Sequence, residues 1–391
     1  MPEARKNQHE TVVPFRTEDG IDCNLIRVRS AAGDAPKGPV LLVHGAGVRA
    51  EIFRAPVETT VVDYLVDHGY EVWLENWRAS IDVKPNQWSL DKAAIYDHPE
   101  AVRTVVRETG SPEIKAIIHC QGSTSFMMSA VAGLVPQVKT IVSNAVSLHP
   151  VVPALSRFKL KVVLPVVGRL TDHFNPRWGI EAPTPMAKTL SLLVHLTHHE
   201  CHNEVCKQVS FFYGSGFPAL WRHENLNPAT HEWLKKEFAF VPISFYKQMN
   251  RCVQQGRLVS TRSGTKLPRD FTAQPPQTSA RFSFFTGKHN LCFLPESQVE
   301  TYKFFDAHRP DYHSLHILPD YSHLDMFMGQ SAARDVNMGR PLNLSQPQYR
   351  LRTEVAADDL NNCLVARDAR NRRAFLMWIP ILDSFFFFAI L

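Results

Sequence analysis

The sequence carries little net charge and has no basic stripe interleaved with aromatic residues. Its 391 residues include 43 Lys and Arg against 38 Asp and Glu, which gives a formal net charge of only +5. A protein that binds nucleic acid through its phosphates needs a basic face or stripe. The lack of one argues against nucleic acid as a partner.

A disulfide framework is also missing. The seven cysteines are an odd number and lie far apart, at positions 23, 120, 201, 206, 252, 292 and 363, whereas disulfide-rich secreted domains are short and carry paired cysteines. The N-terminal segment 1–13 is polar and has no apolar core of the kind that a signal peptide needs. Both features predict a reducing, cytoplasmic location.

Long apolar runs are rare, with one exception at the C-terminus. Residues 374–391 are almost wholly apolar and follow a basic segment at 367–373. A membrane-spanning helix needs about 20 apolar residues, and this run is interrupted by Pro380 and Asp383. The segment is better explained as a docked tail or as a product of readthrough or of a misassigned gene boundary. Membrane association through 374–391 remains the alternative.

Short apolar runs alternate with amphipathic helical segments, of which 57–68 and 98–109 are examples. This alternation indicates βαβ units and a mostly parallel sheet. A hairpin over 12–29, with turn residues at 18–20, precedes it. The predicted strands of the sheet are 39–43, 70–74, 114–119, 139–142, 281–285 and 314–318.

Helical periodicity with proline breaks replaces the alternation in the middle of the chain. A helical insertion between late strands covers the carboxyl ends of the strands, where ligands bind in open α/β sheets. The predicted organisation is a first part of an α/β core at 1–150, a helical cap at 151–278, a second part of the core at 279–335 and an appendage at 336–391.

The segment that follows the strand at 114–119 carries the first candidate for chemistry. A strand, a sharp turn and a helix expected to begin near Ser123 form the layout of a nucleophile elbow, G-x-S-x-G. Here Cys120 stands at the serine position, Gly122 is kept and Ile118 replaces the first glycine. A thiol at a helix N-terminus gains from the helix dipole, which favours the thiolate. The alternative is a buried, inert cysteine at the end of a strand.

An acyl-transfer site also needs two backbone N–H groups aimed at the developing oxyanion. The residue after the nucleophile, Gln121, supplies one of them in this layout. The tight turn at 44–47, His-Gly-Ala-Gly after the strand at 39–43, supplies the other, with Ala46 as the expected donor. An ordinary structural turn is the alternative interpretation of 44–47.

The base and the residue that orients it are expected after the last two strands, in the chain order nucleophile, acid, histidine. His323 follows the strand at 314–318 and is the predicted base, whereas Asn290 stands where an aspartate is expected after 281–285. A thiol is acidic enough to form a thiolate–imidazolium pair, for which a neutral amide suffices to orient the ring. Papain-like enzymes use this Cys-His-Asn combination on another fold.

Together these motifs resemble the acid-lipase branch of the α/β-hydrolases, the gastric and lysosomal lipase type, over residues 12–335. The matching segments are TEDG at 17–20, HGAG at 44–47, VWLENWRAS at 72–80, HCQGST at 119–124 and YSHLDMFMG at 321–329. The resemblance implies an α/β-hydrolase fold and hydrolysis of apolar esters. The cysteine, isoleucine and asparagine substitutions at 120, 118 and 290 depart from the family pattern and put ordinary triglyceride lipolysis in doubt.

The HCQGS elbow is also similar to that of bacterial hydrolase domains fused to or encoded beside GMC, cholesterol-oxidase-like oxidoreductases. That resemblance implies sterol or other lipid-like substrates and a functional association with such an oxidoreductase.

The sequence therefore predicts an acyl hydrolase that attacks an ester, thioester or lactone with Cys120 and needs no cofactor. An acyltransferase or cyclase that uses the same thioester is one alternative, and an inactive ligand-binding protein is another. Cys201 and Cys206, with neighbouring histidines, suggest a metal site, but residues five apart would point to different faces of a helix. No metal site is therefore predicted, and a disulfide between the two cysteines is left open.

Overall fold

A computed structural model describes residues 7–33, 35–261 and 266–338 of the chain. The predicted appendage from residue 339 onward, including the apolar run at 374–391, lies outside the described residues. Among the described residues, no helix has both the length and the apolar character needed to cross a membrane.

The core is an eight-stranded sheet with two further short strands outside it. Six strands of the sheet run parallel, and the first two form an antiparallel hairpin that leads into it. In the strand numbering used below, the spatial order is β1-β2-β4-β3-β5-β6-β9-β10. The strands are β1 (Gln8–Arg16), β2 (Asp22–Ser30), β3 (Pro39–Val43), β4 (Glu71–Asn76), β5 (Ile114–His119), β6 (Val138–Asn144), β7 (His173–Phe174), β8 (Val241–Pro242), β9 (Arg281–Gly287) and β10 (Ser314–Leu318).

Burial follows the pattern that a sheet covered on both faces requires. Every residue of β3 and β4 is buried, because helices pack on each side of these central strands. The edge hairpin strand β1 is mostly exposed. The continuous apolar runs of the sequence are therefore the central parallel strands.

Helices connect the strands and fill a long insertion between β6 and β9. The α-helices are α1 (Val61–Asp67), α2 (Leu90–Lys92), α3 (His98–Thr109), α4 (Cys120–Val131), α5 (Ala154–Phe158), α6 (Leu164–Val167), α7 (Pro185–Thr197), α8 (Glu204–Tyr213), α9 (Pro228–Glu237), α10 (Ile243–Gln255), α11 (Glu296–His308) and α12 (Asp325–Met328). A π-helical turn joins α2 to α3, and another joins α5 to α6.

The helical insertion, defined here as residues 154–255, packs against the turn that follows β3. The Tyr213 hydroxyl at the end of α8 donates a hydrogen bond of 3.2 Å to the Ala46 carbonyl. Val241 of β8 contacts the same turn: a Cβ placed on Gly47 would lie 2.3 Å from its side chain. The insertion thus covers the carboxyl ends of the strands, where the candidate site residues lie.

The predicted strands of the parallel sheet are confirmed, with ends that differ by at most two residues, and the hairpin begins at Gln8, four residues before the predicted start. The helix after β5 begins at Cys120 rather than near Ser123, because the sharp turn occupies a single residue. The domain boundaries at 150, 278 and 335 stay predictions.

Candidate active site

Cys120 lies on a strained turn between β5 and α4. Its φ of +54° is in the left-handed region, which costs a non-glycine residue about 1–3 kcal/mol and occurs preferentially at functional sites. A glycine is required two residues later, at Gly122, because a Cβ there would lie 2.2 Å from the His44 carbonyl oxygen. The elbow therefore packs directly on the end of β3. Ile118, which replaces the first glycine of the motif, is fully buried within β5.

The turn at 44–47 contacts this elbow. A Cβ placed on Gly45 would lie 3.3 Å from the Cys120 Sγ and 3.9 Å from the Gln121 nitrogen. The Gln121 N–H also hydrogen bonds to the Cys120 sulfur. The two predicted oxyanion donors, Ala46 and Gln121, thus belong to segments that meet beside the thiol. Their role in holding an oxyanion stays a prediction.

The structure brings His323 and Asn290 together beside the elbow. The His323 Nδ1 lies 3.2 Å from the Asn290 Oδ1, and a ring nitrogen of His323 lies within 4.8 Å of the Cys120 Sγ. Both His323 and Asn290 are fully buried. The three predicted residues therefore form one cluster, in the order thiol, imidazole, amide.

Two backbone N–H groups determine how the Asn290 amide is oriented. Its Oδ1 accepts hydrogen bonds from the Cys292 and Phe293 nitrogens at 3.1 and 3.0 Å. These two bonds identify the atom as the amide oxygen, which can only accept, so the nearby His323 Nδ1 must donate to it. Nδ1 therefore carries the proton, and Nε2 is left as the nitrogen able to accept the proton of the thiol. Nε2 is buried with no other hydrogen-bond partner among the described residues.

Close packing of two loops positions His323 against Asn290. Gly287 allows this approach, because a Cβ there would lie 2.1 Å from the Ser322 carbonyl oxygen. Segment 220–222 of the insertion holds the His323 loop from the other side. The His323 and Leu324 nitrogens donate to the Leu220 carbonyl at 3.2 and 2.8 Å.

Asp325 completes this attachment. Its carboxylate accepts hydrogen bonds from the Ser322 and Arg222 nitrogens, at 2.8 and 3.2 Å, and from the Asn225 amide at 2.8 Å. Burial raises the pKa of Asp325 to about 6. Asp325 is a positioning residue that links the His323 loop to the insertion.

Cys292 is a site residue that the sequence did not identify. Burial opposes ionisation of Cys120, but a hydrogen bond from the Cys292 thiol, the charge and hydrogen bond of His323 and the Gln121 N–H outweigh it. Together they lower the pKa of Cys120 to about 5. Burial and the neighbouring Cys120 sulfur raise the pKa of Cys292 well above its usual range. Of the two thiols, Cys120 is therefore the one that ionises more readily.

His119 was also missed. Its ring lies 4.8 Å from that of His323, centroid to centroid, and its Nδ1 lies 3.0 Å from the Asn144 Oδ1. Burial, with the nearby charge of His323, lowers the pKa of His119 well below its usual range, so the ring is neutral. His119, Cys120 and His323 together offer three ligand atoms within 4.8 Å of one another, which could trap a thiophilic metal.

The insertion closes over the thiol. Cys120 is only 6% exposed and His323 is fully buried. The Tyr213 and Tyr246 side chains lie near Cys120, and burial raises the pKa of Tyr213 well above its usual range, so its phenol stays protonated. The Cys120 thiol is therefore almost fully shielded from solvent.

Comparisons with known proteins agree with this architecture. A putative lipase from Sulfolobus solfataricus superposes with a TM-score of 0.52 at 14% identity, over 85% of this chain and 92% of that one. An epoxide hydrolase of Vigna radiata gives 0.51 at 14% identity, over 84% and 96%. The chain has the α/β-hydrolase fold.

Sequence relatives are lipases and esterases at low identity. The chain is 24% identical to triacylglycerol lipase 1 of Arabidopsis thaliana over 82% of this chain and 84% of that protein. It is 24% identical to human lysosomal acid lipase/cholesteryl ester hydrolase, over 50% and 52%. The match to sterol esterase 2 of Saccharomyces cerevisiae is 24% identical and spans 34% of this chain and only 30% of that protein. No family model matches the chain.

Proposed function

We propose that this protein is an acyl hydrolase that cleaves lipid-like esters or thioesters through a covalent Cys120 thioester. The relatives support hydrolysis of lipid esters as the general activity. The single observation that carries the cysteine mechanism is the cluster of Cys120, His323 and Asn290 on the elbow. The strained turn presents a thiol with a lowered pKa to the imidazole of His323.

In the proposed reaction the Cys120 thiolate attacks the acyl carbon, and the developing oxyanion is held by the Ala46 and Gln121 N–H groups. Protonated His323 then gives its Nε2 proton to the leaving alcohol or thiol, which leaves a thioester on Cys120. Water attacks the thioester while His323 Nε2 takes one of its protons, the C–S bond breaks, the carboxylic acid is released and the thiolate–imidazolium pair is restored. Asn290 keeps Nε2 directed toward the sulfur throughout.

An apolar substrate is proposed from the surface of the insertion. Among the described residues, most of the exposed large apolar side chains belong to this one segment. The exposed large apolar side chains of the insertion are Leu155, Phe158, Val162, Leu170, Ile180, Leu192, Leu196 and Phe217. We propose sterol esters and long-chain acyl esters as the substrates, since one relative is a sterol esterase and another a cholesteryl ester hydrolase.

Acyl transfer to an acceptor other than water is the second candidate, and the burial of the Cys120–His323 pair favours it because a closed site restricts water. The association with a GMC-type oxidoreductase stays a prediction.

The test is incubation with short-chain and long-chain acyl esters, followed by mass spectrometry of the intact protein and of the products. We expect an acyl adduct on the peptide that contains Cys120 and release of free acid. Product that forms only when an alcohol or amine acceptor is added would support the transferase instead. Absence of adduct and of turnover with every ester, in a protein whose Cys120 resists alkylation, would leave an inactive binding protein.

A further inference from the structure

The insertion contains a second cluster of reactive side chains, separate from the elbow. Two cysteines and two histidines, Cys201, Cys206, His223 and His231, each place a ligand atom within 4.8 Å of the other three. Cys201 precedes α8 and Cys206 lies in its first turn, whereas His223 lies in a short 3-10 helix and His231 in α9. The expectation that Cys201 and Cys206 share a helix was wrong, because α8 begins only at Glu204.

We propose that these four residues bind one Zn²⁺ ion in a tetrahedral Cys2His2 site. Structural zinc sites have this ligand set and four-coordinate geometry. Zn–S bonds of about 2.3 Å and Zn–N bonds of about 2.0 Å place a sulfur and a nitrogen ligand about 3.5 Å apart in a tetrahedron. The Cys206 Sγ and the His223 Nε2 lie 3.4 Å apart.

The remaining ligands are also arranged for a shared ion. The Nε2 of His231 is buried and has no hydrogen-bond partner within the described part of the chain, and its ring lies 4.9 Å from that of His223, centroid to centroid. The Cys201 Sγ lies within 4.8 Å of the ligand atoms of Cys206, His223 and His231. A buried imidazole nitrogen without a partner costs free energy, and a metal bond would remove this cost.

Neighbouring residues preorganise the cluster, as the hydrogen-bonding partners of ligands do in metal sites. Asn203 bridges two ligand segments, because its Oδ1 accepts from the Cys206 nitrogen at 3.1 Å and its Nδ2 donates to the His231 carbonyl at 2.5 Å. Two thiolates would balance the charge of Zn²⁺.

A bound Zn²⁺ ion would link three segments of the insertion near the His323 loop. These segments are the start of α8, the 3-10 helix at 223–225 and α9. His223 follows the segment 220–222, which holds the His323 loop through Leu220 and Arg222. The metal is thus assigned a structural role, since all four positions of the tetrahedron are filled by the protein.

The primary test is the metal content of the full-length protein, purified without chelators and measured by inductively coupled plasma mass spectrometry. We expect about one zinc per chain. Replacement by Co²⁺ should give the thiolate charge-transfer band and the intense visible bands of a tetrahedral cobalt site. Cys201 and Cys206 should resist alkylation until a chelator is added, and chelation should lower Tm.

Matched variants locate the ion. Cys206→Ser and His231→Ala should each weaken zinc affinity by at least about a hundredfold, the upper range for loss of a residue that only supports a ligand. Cys252→Ser, a buried cysteine outside both clusters, and Cys120→Ser should retain zinc. Loss of zinc in Cys120→Ser alone would instead place the ion on His119, Cys120 and His323.

The wild-type measurements keep the proposal falsifiable where a variant fails to fold. A wild-type protein that contains no stoichiometric zinc and gives no tetrahedral cobalt spectrum would overturn it. So would a Cys201–Cys206 disulfide in a non-reducing peptide map. None of these readouts depends on esterase activity, so failure of the proposed function leaves the metal site intact.

Discussion

Two polar constellations each include one residue of α4, and their comparison shows what makes a reactive site. At the start of the helix are Cys120, His323 and Asn290. Five residues later the Ser125 Oγ lies 2.7 Å from the His98 Nε2, and the His98 Nδ1 lies 3.0 Å from a Glu75 carboxylate oxygen. Judged by residue types and distances alone, the second set is the better serine-hydrolase triad.

Backbone position separates the two. Cys120 is on a turn of positive φ at the carboxyl end of β5, next to the 44–47 turn, whereas Ser125 is inside a helix. The Ser125 hydroxyl is also within 3.0 Å of the Gln121 carbonyl, four residues earlier, to which it can donate. Its neighbouring N–H groups are committed to the helix ladder and cannot hold an oxyanion.

Surroundings reinforce the difference. Glu75, His98 and Ser125 are all fully buried, and the His98 ring packs between Trp77 and Phe126, with centroids 5.2 and 5.3 Å away. Burial raises the pKa of Glu75 despite its contact with His98. The second set fixes the helix that carries the elbow, and the first performs the proposed chemistry.

The largest expected effect is that of Cys120→Ala. This change and His323→Ala should each reduce kcat/KM for ester hydrolysis by at least about 10⁴-fold, and the double variant should cost little more, because residues that act as a unit are not additive. Steady-state kinetics with a chromogenic ester measures this. Full activity of Cys120→Ala would remove the thiol from the mechanism.

Cys120→Ser should be nearly as inactive. A hydroxyl needs a base backed by a carboxylate, which Asn290 does not supply, and loss of such a carboxylate costs a serine protease about 10⁴-fold. Combining Cys120→Ser with Asn290→Asp should recover at least about a hundredfold in kcat/KM. The carboxylate introduced by Asn290→Asp would accept the same hydrogen bonds from the Cys292 and Phe293 N–H groups. Asn290→Asp alone, the control, should preserve or only modestly alter activity.

Asn290→Ala should be milder than loss of the thiol or imidazole. It removes the hydrogen bond that orients His323, which is worth about 1.5–3 kcal/mol when one partner is charged, or about ten- to a hundredfold in rate. The effect should fall on kcat with little change in KM. An effect as large as that of His323→Ala would mean that Asn290 does more than orient the ring.

The pH dependence of Cys120 alkylation should reflect its lowered pKa. The thiolate fraction rises with pH, so the rate with iodoacetamide should rise through a midpoint of about 5 and be level near neutral pH. Cys292→Ala removes a hydrogen-bond donor to the thiolate and should move this midpoint upward. Cys252→Ala is the matched control and should not move it. A midpoint at or above about 8.5, the value of a free thiol, would favour an inert cysteine.

Cys120, His323 and Asn290 could be predicted from sequence because each follows a strand whose apolar run is unmistakable, and parallel strands bring their carboxyl ends to one edge. Cys292 and His119 could not be. Cys292 lies near Cys120 only because of the path that the loop after β9 takes. His119 belongs to the strand in the sequence pattern, so nothing in the pattern marks it as a site residue. One signal was available for Cys292, namely its place two residues after Asn290.

The insertion was the least predictable part. Its helices were expected from periodicity, but contacts between them depend on tertiary packing that no local pattern encodes. His223 and His231 lie 17 and 25 residues after Cys206 in the sequence, and only the packing of the 3-10 helix at 223–225 and of α9 near α8 brings them to it. The resemblance to acid lipases supplied the fold but gave no reason to join these four residues.

Ser125→Ala should have the smallest effect on turnover and tests the comparison most directly. The change leaves the His98 Nε2 without its partner, which should cost about 1–3 kcal/mol of unfolding free energy, measured by urea denaturation. Because the Ser125 hydroxyl hydrogen bonds, among the described residues, only with His98 and with the backbone of α4, kcat/KM should stay within about tenfold of wild type, that is, within about 1.4 kcal/mol. Ser129→Ala, a buried serine one turn later whose hydroxyl donates to the Ala94 carbonyl at 2.7 Å, is the matched control for loss of a buried hydroxyl. A folded Ser125→Ala protein with no turnover, beside an active Cys120→Ala protein, would exchange the roles assigned to the two constellations.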